Sequence, residues 1–218
     1  MPNWRAEAVV QGVEGCYLQL LLTRSLCRLS PRTVLREAIR GGVDLVQIRE
    51  KGLETSVLVD QVRDLVELAA ERKVPVLIND DVEAARLLKV EGVHLGREDM
   101  PAAQARRLLG EKAWIGVSTH CLRELEEAQK AATHVGLGAC FATTTKQRAR
   151  RLDREVLRSV LLEARIPVFA IGGIGVDNLD ELVSLGVTRI AVSAAILSST
   201  DPAGTAALLR SKLPARES

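Results

Sequence analysis

Arg49 and Lys51 stand two residues apart behind Gln47 in the run Gln47-Ile48-Arg49-Glu50-Lys51. Side chains alternate along a strand, so Gln47, Arg49 and Lys51 share one face and Ile48 takes the other. A guanidinium turned inward is costly unless it meets an anion. Beside an ammonium, its planar fork suits the oxygens of a diphosphate. The bland reading is an ion pair of Arg49 with Glu50 or a neighbour. Farther on, Asn79-Asp80-Asp81 and Gly96-Arg97-Glu98-Asp99 supply carboxylates. Asp81 suits the N-cap of a helix starting at Val82, which leaves Asn79 and Asp80 for chemistry. Asp99 has two readings, a helix cap ahead of Pro101 or a partner of Asp80. Two carboxylates beside a diphosphate make a Mg²⁺ site, completed by phosphate oxygens and water.

A second group of residues suits a monophosphate. Thr143-Thr144-Thr145-Lys146 is a hydroxyl-rich loop ending in a cation, and Gly172-Gly173-Ile174-Gly175 and Ser193-Ala194-Ala195 follow later. Glycine lets a backbone approach a phosphate closely. Ser118-Thr119-His120 offers hydroxyls, for capping or for a ligand. His94 reads as a core-lining residue or as a contact to a heterocycle, and His134 reads as structural. No Gly-x-Ser-x-Gly elbow accompanies these groups, so a hydrolase triad is not indicated. Lys146 to Arg151 is the one dense basic run; it reads either as a solvated loop or as an anion contact.

The elements that must carry these residues alternate in kind. Aliphatic runs predict buried strands at Tyr17–Leu22, Leu45–Ile48, Val74–Ile78, Val93–Leu95, Trp114–Val117, His134–Leu137, Val168–Ile171 and Arg189–Val192. Stretches of helical period lie between and after them, at Pro31–Arg40, Thr55–Arg72, Val82–Lys89, Pro101–Leu109, Leu122–Ala131, Asp153–Ala164, Asp177–Leu185 and Pro202–Leu213. Ser30-Pro31 and Asp201-Pro202 read as helix starts, and Gly41, Gly110 and Gly186 as stops. Strand followed by helix, repeated this way, predicts parallel pairing with right-handed crossovers. Closure gives an α/β fold, a single-domain (β/α)8 TIM barrel over residues 16–218 behind an N-terminal extension over 1–15. An open doubly wound sheet is the competing architecture. In a barrel, the groups named above fall on the rim where the strands end, apart from His94 inside the fourth strand and His134 at the start of the sixth.

Bulk properties narrow the class. The chain has 218 residues, 47% of them hydrophobic and 27% charged, as in a soluble globular domain. Aromatic residues are only 2%, so the core must be aliphatic. A net charge of +2 gives no case for nucleic acid. The apolar run Cys16–Leu22 is too short to span a membrane. Four cysteines without metal-ligand spacing predict reduced thiols and a cytoplasmic enzyme. A homo-oligomer is compatible with all of this.

Taken in order, these pieces resemble the thiamine-phosphate synthase family. The resemblance rests on Gln47-Ile48-Arg49-Glu50-Lys51, Asn79-Asp80-Asp81, Gly92-Val93-His94-Leu95-Gly96 with Glu98-Asp99, and Gly116-Val117-Ser118-Thr119-His120. It continues through Thr143-Thr144-Thr145-Lys146, Ala170-Ile171-Gly172-Gly173-Ile174 and Val192-Ser193-Ala194. It implies a transferase that joins a pyrimidine diphosphate to a thiazole phosphate, with Mg²⁺ as cofactor, through a dissociative route. Asp80 and Asp99 would hold the metal and Asn79 the diphosphate. Arg49, Lys51 and Lys146 would stabilise the leaving group. Gln47 would orient the pyrimidine, with Ser118 beside it. Thr143, Thr145, Gly173, Val192 and Ser193 would hold the thiazole phosphate. The chain departs from the family pattern at Ala142, where Pro is common, at Thr23-Arg24 in place of Thr-Asp, and at Lys89-Val90-Glu91-Gly92 in place of Gly-Ala-Asp-Gly. Two other functions remain open at this level, a thiazole tautomerase that needs no metal and a non-catalytic barrel that senses a phosphorylated metabolite.

Overall fold

Eight parallel strands close on themselves in sequence order. In the computed structural model, which describes residues 12–142 and 151–215, the strands are β1 (Leu18–Leu22), β2 (Leu45–Ile48), β3 (Val76–Asn79), β4 (Gly92–Leu95), β5 (Trp114–Thr119), β6 (His134–Gly138), β7 (Val168–Ile171) and β8 (Ile190–Val192). The helices are α1 (Pro31–Arg40), α2 (Thr55–Glu71), α3 (Val82–Leu88), α4 (Ala102–Leu109), α5 (Leu122–Ala128), α6 (Arg154–Glu163), α7 (Leu179–Ser184), α8 (Ala194–Leu197) and α9 (Pro202–Ser211). The last bond of the ring joins β1 to β8, with Leu18 opposite Ile190 and Leu20 opposite Val192. The barrel is therefore the architecture adopted, and the open sheet is ruled out.

The aliphatic runs form strands because both their faces are buried. Leu20, Val46, Ile78, Val93, Ile115 and Val135 turn outward and join the core beneath the helices. Leu21, Leu45, Leu77, Phe169 and Ala191 turn inward and plug the barrel with Val13 and Cys16. Val13 opens a 3-10 turn, Val13–Gly15. The end of the stretch read as an extension is thus part of the barrel floor.

Helix boundaries follow the side chains that satisfy free backbone donors. Ser30 accepts from Thr33 N, Asp81 from Ala84 N and Asp201 from Gly204 N. Some elements are displaced from their expected limits. Strand β3 starts at Val76 because Lys73, at φ 57°, turns the chain out of α2 first. Helix α7 starts at Leu179 because Asn178 is engaged by the preceding loop, where its Oδ1 accepts from Gly175 N at 2.9 Å. Among the described residues no helix is long and apolar enough to cross a membrane.

At the opposite end from the strand tips, buried Asp44 clamps β1 to β2. Its carboxylate accepts from Tyr17 N at 3.0 Å and from Leu18 N at 2.9 Å. Replacing it leaves two buried N–H groups without an acceptor. Asp44→Ala is expected to cost about 2–3 kcal/mol and to lower Tm by roughly 5–10 °C in a chain of this size. A thermal melt with Tm unchanged would show that the clamp contributes nothing.

Candidate active site

The inward faces of β2 and β3 carry the polar residues upward from the plug. Register places Gln47 opposite Leu77 and Asn79 opposite His94. Gln47 and Asn79 are both buried, and Gln47 Nε2 donates to Asn79 Oδ1 at 2.7 Å. On the other side, Gln19 Nε2 in β1 donates to Gln47 Oε1 at 3.1 Å. Sequence reasoning missed Gln19. One polar residue inside the leucine run of β1 carries no signal of which way it faces until the register is known.

Beyond the tip of β2, Arg49 is half-buried and has no ion-pair partner among the described residues. The expected competitor for it, Glu50, is taken by the loop after β1. Arg24 N donates to Glu50 Oε1 at 2.7 Å, and Arg24 Nε lies 3.4 Å from the same oxygen. That loop is where the chain departs from the family pattern, and the departure leaves Arg49 free for an anion. Lys51 Nζ reaches across to Asp80 Oδ2 at 3.5 Å.

Asp80 follows β3 in a left-handed conformation, φ 66°, which lifts its carboxylate off the strand. There it meets Asp99, the two side chains being within hydrogen-bonding reach. Burial, and next the contact with Asp99, hold the Asp80 carboxyl above the usual carboxylate range, while Lys51 pulls it down. Asp99 does not cap α4, whose N-cap is Pro101. Instead its Oδ2 accepts from Gly96 N at 2.6 Å and closes the turn after β4. Of its two readings, the geometry therefore removes the helix cap and brings Asp99 to Asp80. Among the described residues no third metal-ligating side chain joins them. The donor set is thus two carboxylates, one of them disfavoured as an anion until a cation arrives. That set fits Mg²⁺, which keeps waters and phosphate oxygens for its remaining positions.

Strands β4 to β6 shape the next part of the mouth. His94 Nε2 lies 3.1 Å from Ser118 Oγ. Gly116 sits between His94 and His134, and a Cβ there would come within 2.4 Å of a ring nitrogen of each. His134 is fully enclosed; burial, and then His94, push it down to about 3, so it stays neutral and structural. His120 is engaged by α5, its Nδ1 2.9 Å from Glu124 Oε2, and Arg97 joins the same carboxylate at 3.5 Å.

The rim of β7 and β8 is built by close backbone approach. Gly173, at φ 65°, lies so near the loop after β6 that a Cβ would meet Ala142 O at 2.3 Å. Asn178 Nδ2 holds the turn by donating to Gly173 O at 2.9 Å. Ser193 Oγ is buried and meets no hydrogen-bond partner. The side chain of Val192 is buried in the outer core, which leaves its backbone for a ligand. Thr143, Thr145 and Lys146 lie outside the described residues. Of the basic run, Arg151 is described, and it pairs with Glu181 at 3.3 Å and covers the Phe141 ring.

With this geometry in hand, comparison with known proteins is decisive. The sequence profile of the family described as "Thiamine monophosphate synthase" matches residues 18–196. The chain belongs to that family. A "Thiamine-phosphate synthase" of Clostridium acetobutylicum is 40% identical over 166 residues, covering 76% of this chain and 79% of the relative. One from Halalkalibacterium halodurans is 35% identical over 178 residues, covering 81% and 84%. The solved structure of "Thiamine phosphate pyrophosphorylase" from Pyrococcus furiosus superposes with a TM-score of 0.82 at 33% identity, covering 91% of this chain and 95% of that one. A 3-hexulose-6-phosphate synthase superposes at 0.61 with 18% identity, a likeness of fold alone. Every part of the thiamine monophosphate synthase rim described above falls within the matched span.

Proposed function

We propose that this member of the thiamine monophosphate synthase family joins hydroxymethylpyrimidine diphosphate to thiazole phosphate, releasing pyrophosphate and thiamine phosphate. The observation that carries the reading is the meeting of Asp80, Asp99 and Lys51 on one rim beside Arg49 and the buried Asn79 amide. A tautomerase acting on the thiazole phosphate alone would have no use for that half of the rim. The enclosed interior and four free thiols suit a cytoplasmic enzyme.

The chemistry asked of the chain is modest. The bond from the pyrimidine methylene carbon to the diphosphate oxygen breaks, and its electron pair leaves with the diphosphate. The lone pair of the thiazole ring nitrogen then forms the new C–N bond, so no strong base is required. Bound at Asp80 and Asp99, Mg²⁺ would supply positive charge to the diphosphate oxygens. Arg49 and Lys51 hold and neutralise the same group in the ground state, and Asn79 donates an N–H to it. Gln47 orients the pyrimidine, and Ser118, steadied by His94, lies along the ring. Gly173 and Ser193, with the backbone of Val192 and the hydroxyls of Thr143 and Thr145, hold the thiazole phosphate on the far side. Two substrates bound across one barrel mouth meet without diffusing, which removes much of the entropic barrier.

Lys146 is the group expected to act on the departing charge. Its interaction grows as negative charge builds on the leaving diphosphate, so it favours the transition state over the bound substrate. Lys146→Ala should lower kcat and kcat/KM together, by roughly 10- to 100-fold. Single-turnover rates with both substrates saturating read this directly, and an unchanged chemical step would return Lys146 to the solvated loop. The function itself is tested by mixing the two substrates with the protein and Mg²⁺ and assaying thiamine phosphate. No product, or full turnover in excess chelator, would overturn the reading.

A further inference from the structure

Three buried amides run in series across the barrel interior, Gln19 to Gln47 to Asn79. Gln19 is 2% exposed, Gln47 3% and Asn79 7%. Each amide donates to the carbonyl of the next, at 3.1 Å and then 2.7 Å. Asn79 Nδ2 stands at the end of the series, buried and without a hydrogen-bond partner. A buried donor left unmet costs free energy, which a bound acceptor returns.

An amide carries a donor and an acceptor on one flat group, so a chain of amides has a direction. If Gln19 donates, Gln47 must present its oxygen to Gln19 and its nitrogen to Asn79. Asn79 must then present its oxygen inward and its N–H groups to the mouth. Reversing the first link reverses all of them, and the mouth would meet a carbonyl oxygen. Such an oxygen would repel an anionic ligand, whereas an N–H attracts it.

The geometry points to Gln19 as a positioning residue that fixes this direction, so that Asn79 offers a hydrogen-bond donor to an anionic oxygen at the barrel mouth. Gln19 makes no contact with the ligand in this role. It acts from β1 through Gln47, and so adds a residue from the first strand to a site otherwise built by β2 onward. The inference rests on the diphosphate reading above, and its probe is inorganic pyrophosphate with Mg²⁺, followed by calorimetry on the whole chain.

Gln19→Glu keeps the shape, and as a carboxylate, at a pH high enough to ionise a buried carboxyl, it can only accept and so turns the chain around. Affinity for pyrophosphate should fall about 30-fold or more. Part of such a loss could come from the added negative charge alone. The Asn79→Ala background separates the two effects, because charge still acts there while amide direction no longer matters. In that background Gln19→Glu should cost about 5-fold or less. Gln19→Met is a neutral second variant that removes the donor and leaves the amides free to turn. It should weaken pyrophosphate about 3-fold in the unsubstituted background and not at all with Asn79→Ala. Equal losses in both backgrounds, for either variant, would mean that Gln19 is only a structural residue and would overturn the inference. Failure of pyrophosphate to bind the unsubstituted chain is a different result. It would remove the diphosphate reading first, and the role of Gln19 with it.

Discussion

Asp80→Asn and Asp99→Asn are each expected to lower kcat/KM by on the order of 100-fold or more, since a metal at a reacting phosphate contributes several kcal/mol. Asparagine is the useful replacement at Asp80 because it tolerates the left-handed backbone there, φ 66°, better than alanine does. The folded protein should not suffer. Burial and Asp99 hold the Asp80 carboxyl above its ordinary value, so ionisation is disfavoured in the folded chain relative to the unfolded one. Wherever the unfolded chain carries it ionised, that carboxylate opposes folding, and in chelator Asp80→Asn should melt no lower than the unsubstituted chain. The same shift carries a pH dependence. Protons compete with Mg²⁺ for the carboxylate, so metal affinity should fall on acidification, beginning at a higher pH than an ordinary aspartate would give. Titrating Mg²⁺ at several pH values checks this, and flat affinity down through the normal carboxylate range would contradict it.

Arg49→Ala is expected to raise KM for the pyrimidine diphosphate roughly 30- to 100-fold while leaving KM for the thiazole phosphate within about 3-fold. The asymmetry follows from position. Arg49 continues the inward face of β2 beyond Gln47 and has no ion-pair partner among the described residues, while Gly173 and Ser193 lie at the tips of β7 and β8. Arg49→Lys should recover only part of the loss, because an ammonium cannot match two oxygens at once. Ser193→Ala is the mirror experiment, with a milder effect on the thiazole phosphate because backbone groups share that site. If Arg49→Ala weakened both substrates equally, the division of the rim into two anion sites would be wrong.

Much of this was legible in the sequence for physical reasons. Parallel strands buried on both faces must be aliphatic, so Leu45–Ile48 and Val168–Ile171 stand out with the same limits the structure gives. The rim residues were legible because a charged group at a strand end has few reasons to be there other than a ligand. What stayed hidden depends on register and backbone conformation. His94 meets Ser118 only because β4 and β5 pair with His94 opposite Gly116. Gln19 meets Gln47 only through the stagger between β1 and β2. The two readings of Asp99 could not be separated without knowing that α4 begins after Pro101 and that Asp80 turns left-handed. Arg24 took Glu50 from Arg49 by a loop contact that spacing does not encode.

Several positions in the barrel wall from β4 to β6 carry no side chain because their neighbours leave no room for one. Added methyl groups would strike Trp114 O from Gly92, the two imidazoles from Gly116 and Ile171 O from Gly138. In a scan that scores every position by lost activity, these glycines would rank beside Asp80 and Arg49, although they have no functional group to contribute. Kinetics alone would therefore draw the active site too large, spreading it down the wall into the interior. Melting curves collected on the same variants would redraw it, because a crowded wall lowers Tm and a missing ligand contact does not.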